Sequence, residues 1–143
     1  MSIGFQVTFD AIDPARLADF WAEALVYELE PPPAGFATWE DFGRAVNLPA
    51  ARWNDRAAVR DPEGSRPGLV FQRVHEGGSA RNRVRLDVHV SEGAADMDEQ
   101  KARARAHVER LVQAGAAELR EVDGVTGWCI VLTDPEGNEF CVR

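Results

Sequence analysis

One order of elements, a strand, a helix and then further strands, runs twice through these 143 residues, so the chain is expected to fold as two similar halves. The first pass opens with Phe5, Val7 and Phe9 alternating against Gln6, Thr8 and Asp10, the period of a half-buried strand. A helix follows, in which Asp13 caps, Pro14 suits the first position, and Leu17, Phe20, Trp21, Ala24 and Leu25 share a face up to about Val26. Pro31-Pro32-Pro33 breaks the pattern before weaker strand candidates at 35–40 and 44–48. Residues 49–68 read mostly as loop, apart from the short Ala57-Ala58-Val59. Residues 68–74 resume as a strand, and Glu76-Gly77-Gly78-Ser79 reads as a flexible joint.

The second pass begins at 84–90, where four aliphatics alternate with Arg85, Asp87 and His89 in the clearest strand of the chain. A helix is predicted from about Met97 to Ala114, with Met97, Ala104, Val108, Leu111 and Val112 on one face and Gly115 as its stop. Strand candidates follow at 117–122, 128–133 and 139–143. The last two are joined by Asp134-Pro135-Glu136-Gly137-Asn138, a tight-turn sequence matching Asp61-Pro62-Glu63-Gly64 in the first pass.

The length suits one ordinary domain that needs no disulfide or metal staple. A net charge of −8 repels phosphates, so nucleic acid is not expected as a partner. The opening lacks the pattern of a secretory signal and no run reaches membrane-spanning length, so no membrane is expected and the cytoplasm is the predicted location. Cys129 and Cys141 are too few for a secreted disulfide framework and are expected to be reduced. A Gly-rich phosphate loop, a serine nucleophile elbow and a Cys-x-x-Cys pair are all lacking, which removes several large enzyme classes.

Taken together, the opening strand, the segment 13–21, Phe71-Gln72-Arg73-Val74, the segment 82–88 and the closing 134–140 resemble the vicinal oxygen chelate superfamily. That group contains glyoxalases, extradiol dioxygenases and bleomycin-resistance proteins. More narrowly, the chain resembles its glyoxalase-like proteins of undefined activity. The resemblance implies an α+β fold, a single domain over 1–143 made of two βαβββ modules at about 1–76 and 82–143. Their curled sheets would form a cleft with the helices outside. Strand alternation then turns Phe5, Val7, Phe9, Val84, Leu86, Val88, Val90, Phe140 and Val142 toward the helices. It turns Gln6, Thr8, Asp10, Gln72, Arg85, Asp87, His89, Glu139 and Cys141 toward the cleft. A pair of ferredoxin-like units is the rival fold, with another strand order after each helix.

The resemblance further implies that metal-dependent relatives hold a divalent ion on four side chains, usually His or Gln and Glu, at positions that read here Gln6, Gln72, Arg85 and Cys141. Gln6 offers a carbonyl oxygen and Gln72 a weak substitute for a carboxylate. Arg85 is cationic and has no lone pair to give, and one thiolate beside two amides is no recognised site. No metal and no cofactor are therefore expected. Arg85 is expected either to bind a ligand's carboxylate or phosphate, or to pair internally with Asp87, Asp10 or Glu139.

His89 shares that face, with proton transfer or simple solvation as its two readings. Trp21 and Trp128 are expected in the core, while Trp39 and Trp53 are candidate pocket walls. The predicted ligand-binding set is Gln6, Thr8, Trp39, Gln72, Arg85, Asp87, His89 and Cys141, with no catalytic residue assigned. The function it suggests is metal-free binding of a small anionic or aromatic molecule, as in the drug-binding branch of the family, with a homodimer as an expected partner state. The alternatives are a divalent-metal-dependent lyase or dioxygenase, a metal-independent isomerase using Arg85, Asp87 or His89, and a purely structural dimer module.

Overall fold

The alternation of the opening segment produces strand β1, Val7–Ala11, in the computed structural model of the chain, which describes residues 5–74, 84–124 and 127–143. Helix α1, Pro14–Leu25, follows, and its first turn has two acceptors. Asp13 Oδ1 accepts from the Arg16 N–H at 3.3 Å and Asn54 Oδ1 from the Ala15 N–H at 2.8 Å, while Pro14 has no N–H to satisfy. The helix stops at Val26, which adopts φ 55°, and the Tyr27 N–H returns to the Ala22 carbonyl at 2.9 Å. A β-branched residue in the left-handed region carries strain of about 1–2 kcal/mol.

Strands β2 (Glu28–Leu29), β3 (Arg56–Arg60) and β4 (Leu69–Arg73) complete a four-stranded sheet ordered β1-β4-β3-β2. β1 runs parallel to β4 and the other neighbours are antiparallel. Here the structure corrects two expectations. The strand candidates at 35–40 and 44–48 are replaced by helix α2, Trp39–Ala45, which Thr38 caps by accepting from the Asp41 N–H at 3.1 Å. A threonine cap followed by Glu40 and Asp41 in the first turn is a helix-start signal that the strand reading overlooked. The stretch read mostly as loop contains all of β3, because pairing with β4 at Arg56 and with β2 at Arg60 extends the Ala57-Ala58-Val59 signal in both directions.

The second βαβββ set has β5 (Asp87–Val88), α3 (Met97–Gln113), β6 (Ala117–Gly124), β7 (Gly127–Thr133) and β8 (Glu139–Val142), in a sheet ordered β5-β8-β7-β6. β5 is far shorter than the predicted 84–90. The parallel ladder nevertheless continues on both sides of it: Cys141 N–H to Leu86 O at 2.9 Å, Arg143 N–H to Val88 O at 3.0 Å, and Val90 N–H to Arg143 O at 2.8 Å. β6 lies at the outer edge of this sheet, and its register slips at a bulge between Glu118 and Arg120. Asp96 caps α3 by accepting from the Glu99 N–H at 2.8 Å. At the other end Gly115, at φ 113°, ends the helix, with Ala116 N–H to Leu111 O and Gly115 N–H to Val112 O, the paired bonds of a Schellman stop.

The helix-facing sides make the core. In the first sheet Phe9 meets Trp21 edge-on at 5.5 Å and Phe71 at 5.3 Å, with Leu17 and Val59 fully buried nearby in sequence pattern and register. In the second, Trp128, Ile130, Leu132, Phe140 and Val142 are buried, and Lys101 of α3 lies over the Trp128 ring at 5.4 Å. The predicted stripe of α3 needs correction, since Met97 and Val112 are 50% and 46% exposed. Its inward positions are Ala104, His107, Val108 and Leu111. His107 can occupy one of them because its Nε2 stands 2.8 Å from the Ala24 carbonyl. Phe5 and Val84, expected to face helices, are 71% and 68% exposed and precede the paired rungs of their strands. The joint at 76–79 lies outside the described residues.

Both Asp-Pro-Glu-Gly segments form the same turn. Asp61 Oδ1 accepts from the Glu63 N–H and Asp134 Oδ1 from the Glu136 N–H, while Gly64 and Gly137 each donate to the aspartate's own carbonyl at 2.9 Å. Gly64 and Gly137 have φ of 69° and 87°, which glycine adopts without penalty. The chain divides into two compact units, Met1–Ala22 with Val26–Gly78, and Glu23–Leu25 with Ser79–Arg143. Among the described residues no helix is long and apolar enough to cross a membrane.

Candidate functional site

Register decides which side chains share a sheet face away from the helix. In the first sheet Thr8 is opposite Val70 and Asp10 opposite Gln72, with Arg56 on the far side of Gln72. Thr8, Asp10, Gln72 and Arg56 are exposed, while Val70 on the same face is buried, so polar, wet positions surround one dry one. Gln6 precedes β1 and is also exposed. It lies four residues from Asp10, about 13 Å along an extended strand, so the register brings Gln72 to Asp10 and not to Gln6.

The second sheet differs. Asp87 is opposite Cys141, and Cys141 opposite Val131, placing all three on the side away from Trp128 and Phe140. Cys129, Val131 and Cys141 form a buried cluster against which Val122 packs. Burial first, and then the neighbouring Cys129, push the Cys141 thiol up to about 11, so it carries its proton at neutral pH. Cys141 was expected to line a ligand site, yet it is only 3% exposed.

Charges flank that dry patch. Arg85 Nη1 stands 3.5 Å from Glu139 Oε2, which is one of the internal pairings foreseen for it. Arg143 Nη2 stands 3.3 Å from Asp87 Oδ2. Arg143 was not singled out from the sequence, though it stands two residues beyond Cys141 and therefore on the same face; strand parity alone would have found it. His89 is exposed beside this row. Among the described residues no group of three or more His, Cys, Asp or Glu side chains is placed to hold a metal ion.

The tryptophans take structural partners. Trp39, the first residue of α2, is 43% exposed, donates from Nε1 to the Glu30 carbonyl at 2.8 Å, and meets Phe42 edge-on. Trp53 donates to the Leu48 carbonyl at 3.0 Å and lies so close to Gly43 that a Cβ there would stand 2.8 Å from its Nε1. Trp39 thus belongs to the α2 segment of the first unit, away in sequence from the strands that carry Thr8 and Gln72.

A family model described as a glyoxalase-like domain matches residues 6–143. No curated protein matches the sequence. Solved structures do match in fold. A glyoxalase/bleomycin resistance protein/dioxygenase family enzyme from Burkholderia phytofirmans PsJN is 14% identical, with TM-score 0.61 over 96% of this chain and 94% of that one. The bleomycin-binding protein from Streptomyces verticillus, complexed with copper(II)-bleomycin, is 18% identical, with TM-score 0.56 over 100% and 96%. The fosfomycin resistance protein FosX from Mesorhizobium loti is 11% identical, with TM-score 0.57 over 100% and 92%.

Proposed function

The chain belongs to the glyoxalase-like domain family of the vicinal oxygen chelate superfamily, and from that premise we propose that it binds a small anionic or aromatic molecule without a metal ion. The observation that carries this reading is the pairing on the second sheet. Both carboxylates of that face, Asp87 and Glu139, stand beside guanidinium groups, and the thiol between them is protonated. A divalent cation needs unprotonated, lone-pair donors, and this row gives it two cations and a neutral thiol in its place. Guanidinium groups on a sheet face suit the carboxylate, phosphate or flat π-face of a ligand. The bleomycin-binding relative shows that a chain of this fold serves as a binder, which is the role proposed here.

Arg85, Asp87 and His89 are the proposed contact residues on the second sheet, and Gln6, Thr8 and Gln72 are, separately, the candidates on the first. Cys141 enters as apolar floor rather than as a ligand. The same reading keeps the chain in the cytoplasm, in keeping with two free thiols, and includes a homodimer whose mass sedimentation would reveal.

A thermal-shift screen of small carboxylates, phosphates and aromatics, with and without chelator, tests the proposal. A compound that raises the melting temperature equally in both conditions supports it. Stabilisation by a divalent ion alone, or ligand binding lost on chelation, would replace it with the metal-dependent lyase or dioxygenase reading.

A further inference from the structure

We propose that Arg120 is the side chain of the second sheet that receives a ligand's carboxylate, and that the bulge in β6 puts it there; the inference rests on the small-molecule reading of that face. Glu118 and Glu121 stand at i and i+3, and in an unbroken strand such residues point to opposite faces. Here both reach the helix side. Arg105 of α3 holds Glu118 at 2.8 Å and also pairs with Glu121, which accepts from the Trp128 Nε1 as well. Leu119 is the extra residue that makes this possible, since Glu118 lies opposite Leu132 and Arg120 opposite Val131, the adjacent residue of β7. Arg120 is thereby turned to the face away from the helix, together with Val122, which packs on the cluster of Cys129, Val131 and Cys141.

The register draws one row across all four strands: Arg120, Val131, Cys141 and Asp87. Three strand spacings separate its ends, roughly 14 Å between backbones, and the two side chains between them are buried. Asp87 is therefore placed to answer Arg143, 3.3 Å away, and not Arg120. Arg85 likewise stands 3.5 Å from Glu139. Arg120 differs from both: its side chain is exposed, and among the described residues it makes no hydrogen bond, ion pair or ring contact. A guanidinium carries parallel N–H donors that match the two oxygens of a carboxylate, and an unclaimed one offers them without first releasing a protein partner. A phosphate would leave further oxygens to arginines that already stand beside Asp87 and Glu139, so a carboxylate is the better match.

Benzoate and its neutral counterpart benzamide serve as probes, titrated by calorimetry into the full chain at pH 7.5 and low salt. Arg120→Gln is expected to weaken benzoate binding about threefold to tenfold, the scale of an exposed charge contact, and to leave benzamide unmoved. Arg120→Lys keeps the charge without the fork and should fall between wild type and Arg120→Gln. A double variant, Leu119→Arg with Arg120→Leu, keeps composition and net charge but moves the guanidinium to the unpaired residue of the bulge. It should bind benzoate as weakly as Arg120→Gln does. Both positions are exposed, and circular dichroism checks each variant's fold; if the double variant does not fold, Arg120→Gln decides alone. Unchanged benzoate affinity in Arg120→Gln overturns the inference, as does wild-type affinity in the double variant or benzamide moving in step with benzoate. If wild type binds no benzoate at all, the anion-binding reading falls and the inference with it; if wild type binds and Arg120→Gln does not respond, only the role of Arg120 falls.

Discussion

The two units share an element order, a turn and a helix-facing core, and differ in what they put on the other side of the sheet. The first presents Thr8, Asp10, Gln72 and Arg56 to water, whereas the second buries Cys129, Val131 and Cys141 and rings them with arginine–carboxylate pairs. Their helix stops differ too: Gly115 ends α3 without strain, while Val26 ends α1 at φ 55°. The contrast separates two kinds of constraint. What repeats is what pairing and burial require of any such unit, and what diverges is free to carry chemistry.

If the cores are equivalent, Phe71→Ala and Phe140→Ala, each 0% exposed, should each cost about 3–5 kcal/mol in urea unfolding. Markedly unequal losses would break the equivalence. The dry face of the second sheet predicts thiols that resist alkylation: with Cys141 raised from 9.0 to about 11, iodoacetamide at pH 8 should label it about a hundredfold more slowly in native than in unfolded protein. Mass spectrometry of quenched samples measures this, and rapid native labelling would mean that the patch is open. Asp134 is 3% exposed and Asp61 is not buried, so Asp134→Ala should destabilise by about 1–3 kcal/mol and Asp61→Ala by less. Val26→Gly should stabilise by about 1 kcal/mol and Gly115→Val should do the reverse, a direct test of the two helix stops.

The smallest effect is in acid. The Asn54 amide first, then the Arg16 N–H, hold Asp13 below the usual carboxylate range, and the Glu63 N–H leads the groups that do so for Asp61. A depressed carboxylate contributes stability that is present above its unfolded value, about 3.9, and is lost as pH falls through its lower folded value. The unfolding midpoint should therefore drop below about pH 4, and Asp61→Asn should flatten that drop.

Sequence pattern made the second unit more legible than the first. Capping at Asp13, the stop at Gly115 and the twin Asp-Pro-Glu-Gly turns are local chemistry, and local chemistry is visible in a string of residues. β2 and β3 were hard to see because a two-residue strand has no period and β3 owes its two ends to β4 and β2. Among the candidate site residues, parity placed Thr8, Gln72, Arg85 and Asp87 on the faces away from the helices. What parity does not give is rung number. That is why Gln72 lies opposite Asp10 and not beside Gln6, and why Asp87's partner proved to be Arg143.

The bulge in β6 has a consequence for the protein's dealings with its own copies. A border strand of eight residues, if straight and neutral, would offer its unused amides and carbonyls as a template for the next molecule's backbone. The slip between Glu118 and Arg120, set among Glu121 and Asp123, spoils that template with a kink and a fence of charge. Concentrated solutions of this chain should then resist fibrous stacking along that rim, however crowded they become.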